Sequence, residues 1–157
     1  MSEKDWAAHH VEMAELVATK SKDRSTKVGA VIVGPDQEVR STGFNGFPRG
    51  VNDDVEDRHG RPDKYLWTEH AERNAIYNAA RMGTPTKGAT LVLNFCPWPC
   101  APCARGVIQS GIIEVIGYRE SPFPGKGDQW DHELAIAKEM LEEAGVKITY
   151  IEDMADE

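Results

Sequence analysis

Two short segments carry residue types that could do chemistry together: Glu69-His70-Ala71-Glu72 and Cys96-Pro97-Trp98-Pro99-Cys100-Ala101-Pro102-Cys103. Each falls where a loop gives way to a predicted helix. Cys100 and Cys103 are three residues apart on a first helical turn, so their sulfurs share one face and can share a metal ion. A helix N-terminus also favours the thiolate that a metal requires. His70 can add a nitrogen, which gives Zn²⁺ three protein ligands and leaves a fourth position for water, the catalytic layout. Water on such an ion loses a proton near neutral pH and becomes a nucleophile. Glu72, two residues beyond His70, is placed to move protons between that water and a substrate. This division of labour suits hydrolytic removal of an exocyclic amine, and His-x-Glu followed by Pro-Cys-x-x-Cys is the signature of zinc base deaminases.

Each half alone is weak. A lone His-x-Glu is usually a solvated helix face, and a lone Cys-x-x-Cys is more often structural zinc or buried thiols. The sharpest rival is a closed site in which Cys96 joins His70, Cys100 and Cys103 and leaves no open position. The joint occurrence of the two motifs favours the open site.

The elements that must hold these residues can be read from apolar patterning. Asp5–Lys20 is a loose amphipathic helix. Val28–Val33, the turn Gly34-Pro35-Asp36 and Glu38–Gly43 form a hairpin. Phe44–Trp67, with three Gly and two Pro, is a long surface loop. Thr68 is expected to cap a helix running to Met82, with Gly83 ending it. A strand at Ala89–Phe95, a helix from Cys100 to Ser110, a strand at Ile113–Tyr118, a loop at Ser121–Gln129, a helix at Trp130–Ala144 and a strand at Val146–Ile151 follow. The acidic tail beyond Ile151 is expected to fray. The order predicts one α/β domain, a three-layer α/β/α sandwich around a mixed five-stranded sheet.

Composition sets the outer limits. The chain has 157 residues, 40% hydrophobic and 28% charged, which is one domain with a real core. Its apolar runs are too short to span a bilayer, and its first residues lack a signal-peptide layout, so a cytoplasmic protein is expected. A net charge of −8 argues against nucleic acid as a partner. All three Cys lie between positions 96 and 103, a poor disulfide framework and a good metal site.

With these residues in hand, the chain resembles the cytidine deaminase superfamily, and within it the deoxycytidylate (dCMP) deaminases, from about Ala14 to Ile151. Beyond the zinc motifs the resemblance rests on Arg24-Ser25-Thr26-Lys27-Val28-Gly29-Ala30-Val31-Ile32-Val33, on Gly43-Phe44-Asn45-Gly46-Phe47-Pro48-Arg49-Gly50, and on His70-Ala71-Glu72-Arg73-Asn74-Ala75-Ile76. It implies a zinc-dependent hydrolase that converts dCMP to dUMP and ammonia for thymidylate synthesis. Deamination of dCTP, a nucleoside or a free base is the alternative, and a non-catalytic zinc-stabilised nucleotide-binding module is a further one. His70, Cys100 and Cys103 would hold zinc and Glu72 would shuttle protons. The Ala71 amide would bind the pyrimidine O2, the Trp98 carbonyl the amine, Asn45 the sugar hydroxyl, and Val28 would pack on the base. Lys27 and Arg49 would meet the phosphate, with Arg24 and Arg119 behind them. The resemblance also implies a homo-oligomer, with a hexamer favoured, and feedback by dCTP and dTTP. Asp53, Asp54, Glu56 and Asp57, with His59 nearby, could meet Mg²⁺ on a triphosphate effector.

Overall fold

The computed structural model describes residues 1–119 and 128–156. The Ser121–Gly127 part of the loop expected before the last helix lies outside the described residues.

A five-stranded sheet forms the middle layer: β1 (Gly29–Val33), β2 (Val39–Phe44), β3 (Thr90–Leu93), β4 (Glu114–Gly117) and β5 (Lys147–Tyr150), in the order β2-β1-β3-β4-β5. β1 runs antiparallel to both β2 and β3, whereas β3, β4 and β5 are parallel. Parallel neighbours need crossovers, and α4 (Ala101–Gln109) and α5 (Asp128–Glu143) supply them. α1 (Glu3–Ala18) lies against β1, β2 and β3, while α3 (Ala71–Met82) packs on β1, β2 and α4, and α4 packs on α5. The mixed three-layer sandwich is therefore as the sequence predicts.

The period-two alternation of strand side chains divides the core. Ala30, Ile32, Leu91, Leu93 and Val115 face α3, α4 and α5, where they meet Ala71, Ala75, Ala104, Val107, Ala137 and Leu141. Val31, Val33, Val92 and Ile116 face the other way, onto Ala7, Val11 and Ala14 of α1. The small residues of α3 let it approach β2 at backbone distance. A Cβ on Gly43 would lie 2.3 Å from the Ala75 nitrogen and 2.5 Å from the Ala71 carbonyl oxygen.

Three expectations are corrected. Phe44–Trp67 is not all loop: it holds a 3₁₀ turn at Glu56–Arg58 and the short helix α2 (Lys64–Trp67). Thr68 does not cap α3. Its hydroxyl donates back to the Lys64 carbonyl at 2.7 Å, closing α2, and His70 takes the N-cap position of α3 with extended backbone. The tail past β5 turns once more as a 3₁₀ turn over Ile151–Asp153, with Ile151 buried and Met154 packed beside it, instead of fraying at Glu152. Among the described residues no helix is long and apolar enough to cross a membrane.

Candidate active site

His70 and Cys100 occupy equivalent places, each the N-cap of its helix with extended backbone and no side-chain cap. What holds His70 there is local. Glu69 exchanges two backbone hydrogen bonds with Gly46, at 2.8 and 3.1 Å. Its carboxylate accepts the His70 N–H at 3.0 Å and pairs with Arg73 one turn on at 2.5 Å. Cys100 is held from further away. Glu133 of α5 accepts the Ala101 N–H at 3.2 Å, which satisfies a donor at the start of α4. The preceding loop lies on Gly117 at the end of β4, where a Cβ would come within 2.3 Å of the Phe95 carbonyl oxygen.

These supports bring three donor atoms together. His70 Nδ1 lies 3.2 Å from Cys100 Sγ and 3.3 Å from Cys103 Sγ, and the whole set falls within 4.8 Å. A tetrahedral zinc with ordinary bond lengths would space nitrogen and sulfur about 3.6 Å apart. Two thiols and an imidazole sharing protons at slightly shorter range therefore fit the ion with a small outward movement. Cys96 borders the same cavity but is not a member of this set. The donor group thus has three protein members among the described residues and matches the open arrangement.

The electrostatics agree. Hydrogen bonding from the Cys103 thiol, opposed by burial and helped by His70, brings Cys100 down to about 4. The contact with Cys100 raises His70, against its burial, and Glu72 raises it further. Glu72 is 3% exposed, and burial pushes its carboxyl above the usual carboxylate range despite the pull of His70. A buried carboxyl with a raised pKa beside a donor set is the combination that proton transfer needs.

A cavity of about 330 Å³ opens onto this floor, and Val28, Asn45, Ala71 and Trp98 all border it. Asn45 Oδ1 accepts the Val28 N–H and its Nδ2 donates to the Thr26 carbonyl, both at 2.9 Å, so the side chain grips the chain leading into β1. The Trp98 indole N–H donates to Tyr150 OH at 2.8 Å, and Lys138 lies 4.7 Å over its ring.

The basic candidates are placed differently. Lys27 is exposed and does not border the cavity. Arg49 borders a second cleft of about 270 Å³, together with Lys20, Lys22 and Arg24. Arg24 forms two hydrogen bonds with Glu56, and Arg119 pairs with Asp153 over the Tyr150 ring. Among the described residues, the Arg and Lys that border the cavity are Arg61 and Lys64, which come from the segment read as a long surface loop. Their charge was visible in the sequence; the α2 turn that aims them was not. Of the loop acids, Asp53 pairs with Lys22 and Glu56 with Arg24, while His59 stacks on Phe47 and bonds the Asp53 carbonyl.

Residues 4–118 match the family described as the cytidine and deoxycytidylate deaminase zinc-binding region. The chain belongs to that family. It is 40% identical over 146 residues to an uncharacterized deaminase in the luxG 3′ region of Aliivibrio fischeri, covering 93% of both chains. It is 38% identical over 117 residues to human deoxycytidylate deaminase, covering 71% of this chain and 64% of the human one. The fold also matches the crystal structure of dCMP deaminase from the cyanophage S-TIM5, in complex with dCMP and dUMP, with a TM-score of 0.73 at 24% identity, covering 96% of this chain and 98% of that one. The His70, Cys100 and Cys103 donor set lies within the matched region, and the chain is a hydrolase of the zinc deaminase type.

Proposed function

We propose that the protein deaminates dCMP: the C4–N bond to the amine breaks, a C4–O bond to water forms, and dUMP and ammonia leave. The observation that carries this reading is the buried Glu72 carboxyl beside the His70, Cys100 and Cys103 donor set, at the floor of a cavity that also exposes Asn45 and Val28. The deoxycytidylate deaminases among the relatives support the choice of base and sugar.

His70 Nδ1 and the two thiolates would hold zinc, which when bound would supply the Lewis acidity that activates water. The remaining work belongs to the chain. Glu72 takes a proton from the attacking water and gives it to the pyrimidine N3, then takes the second from the new C4 hydroxyl and gives it to the departing amine. The Ala71 N–H holds the pyrimidine O2, and the Trp98 carbonyl accepts from the amine. Val28 packs on the ring. Asn45 Nδ2 has two N–H groups, of which Thr26 uses one, so the second is left for the sugar hydroxyl.

The reading extends to a cytoplasmic homo-oligomer, hexameric by resemblance, that supplies dUMP for thymidylate synthesis. The second cleft suits feedback by dCTP and dTTP with Mg²⁺. It offers Lys20, Lys22, Arg24 and Arg49, and shares Asp23, Lys64 and Thr68 with the cavity above Glu72.

Ammonia release by zinc-loaded protein across cytosine, deoxycytidine, dCMP, CMP and dCTP tests the assignment. Turnover of dCMP well above the other four is expected. Preference for another member would keep the chemistry and overturn the substrate. Zinc-loaded protein that turns over none of the five would overturn the reaction.

A further inference from the structure

A nucleotide entering this cavity has one way to lie. The carbon that loses its amine must reach the floor, where Ala71, Glu72 and Cys100 are buried. The doubly charged phosphate, the most strongly hydrated part, then belongs at the solvent-facing rim. Among the described residues that border the cavity, the cations are Arg61, Lys64 and, at the floor, His70.

Lys64 is already committed. Its ammonium lies 3.3 and 3.4 Å from the two Asp23 carboxylate oxygens, and the side chains are 12% and 9% exposed. Asp23 in turn accepts the Ser25 and Thr26 N–H groups at 2.8 and 2.9 Å. The pair therefore ties the segment leading into Val28 to α2, and its charges cancel. Arg61 has no carboxylate partner among the described residues. It is exposed, and its guanidinium lies 5.9 Å over the ring of Tyr65, which also borders the cavity. A planar, permanently charged fork resting on an aromatic face is suited to a phosphate dianion.

We propose that Arg61 is the specificity-determining residue that reads the 5′-phosphate, with Lys64 a positioning residue; this rests on the dCMP reading above. The role assigned to Lys27 and Arg49 from resemblance passes to Arg61.

The test compares wild type, Arg61→Ala and Arg61→Lys for kcat/KM on dCMP and on deoxycytidine, and for binding of dUMP and deoxyuridine by calorimetry. Charge-assisted hydrogen bonds of this kind correspond to about a 10–100-fold effect. The expected result is a loss of that size in Arg61→Ala, through KM, for dCMP and dUMP. Deoxycytidine and deoxyuridine should be unchanged, and Arg61→Lys should recover only part of the loss. Equal losses on phosphorylated and unphosphorylated ligands would mean a structural role and overturn the assignment. A wild type that favours the monophosphate to the same degree as Arg61→Ala overturns Arg61 alone. A wild type with no preference for the monophosphate overturns the substrate reading and Arg61 with it.

Discussion

The side chains of two helix N-cap residues, His70 and Cys100, meet 3.2 Å apart. Neither caps its own helix, so α3 and α4 point uncapped, positively polarised ends toward one spot. Cys103, on the first turn of α4, closes the set at 3.3 Å. The arrangement favours thiolates and places Glu72, in the first turn of α3, beside them.

Removal of zinc is therefore expected to abolish turnover and lower the melting temperature, and stoichiometric zinc should restore both. Cys103→Ser should weaken zinc binding by more than the roughly 10–100-fold that loss of an outer hydrogen bond costs a metal site. Competition with a chromophoric chelator measures this. Tight, stoichiometric zinc in Cys103→Ser would show that the thiol is not a ligand.

Gly43 makes the distance between β2 and α3 a functional quantity. A methyl group there meets the backbone of Ala71 and Ala75, neither of which is a flexible side-chain end. Gly43→Ala is expected to cost about 1–3 kcal/mol of stability by overpacking and, because α3 carries His70 and Glu72, to reduce zinc affinity as well. Chemical denaturation and zinc titration of the same preparation check both. Unchanged values in each would mean that α3 is free to move away from β2 without consequence.

The Asp23–Lys64 pair gives a pH dependence of known sign. Burial opposes ionisation of Asp23, but the N–H groups of Ser25 and Thr26 and the Lys64 ammonium outweigh it, so its folded pKa lies below the ordinary value. A depressed carboxylate contributes stability that is present above the unfolded pKa, near 4, and is lost as pH falls through the folded one. Urea midpoints of zinc-free wild type and Asp23→Asn, followed from pH 6 to below the folded pKa, should therefore differ at pH 6, begin to approach each other near about pH 4 and converge only once pH has fallen through the folded value. A constant difference across that range would show that the ionised form is not what stabilises the contact.

How far the sequence could be read depended on the range of each interaction. The site is legible because Cys100 and Cys103 are related by a single helical turn, and His70 and Glu72 lie two residues apart at the start of one helix. β1 is legible as an apolar run because both of its faces are covered, by α1 and by α3. Thr68 looked like a cap, but its hydroxyl competes for the Lys64 carbonyl of a four-residue helix too short and polar to announce itself. Glu133 is 32 residues from the amide it satisfies, so no local pattern links it to Cys100. Lys27 and Arg49 show the same limit. Their charge is written in the sequence, while which cleft it borders, if any, is set by the fold.

The central claim is that Glu72 moves protons for a reaction at the zinc donor set. Conversion of dCMP to dUMP by Glu72→Gln and wild type, compared at equal measured zinc content, tests it most directly. The account predicts that the variant keeps its zinc and loses about 10²–10⁴-fold in kcat. A variant that retains both zinc and wild-type turnover would contradict it.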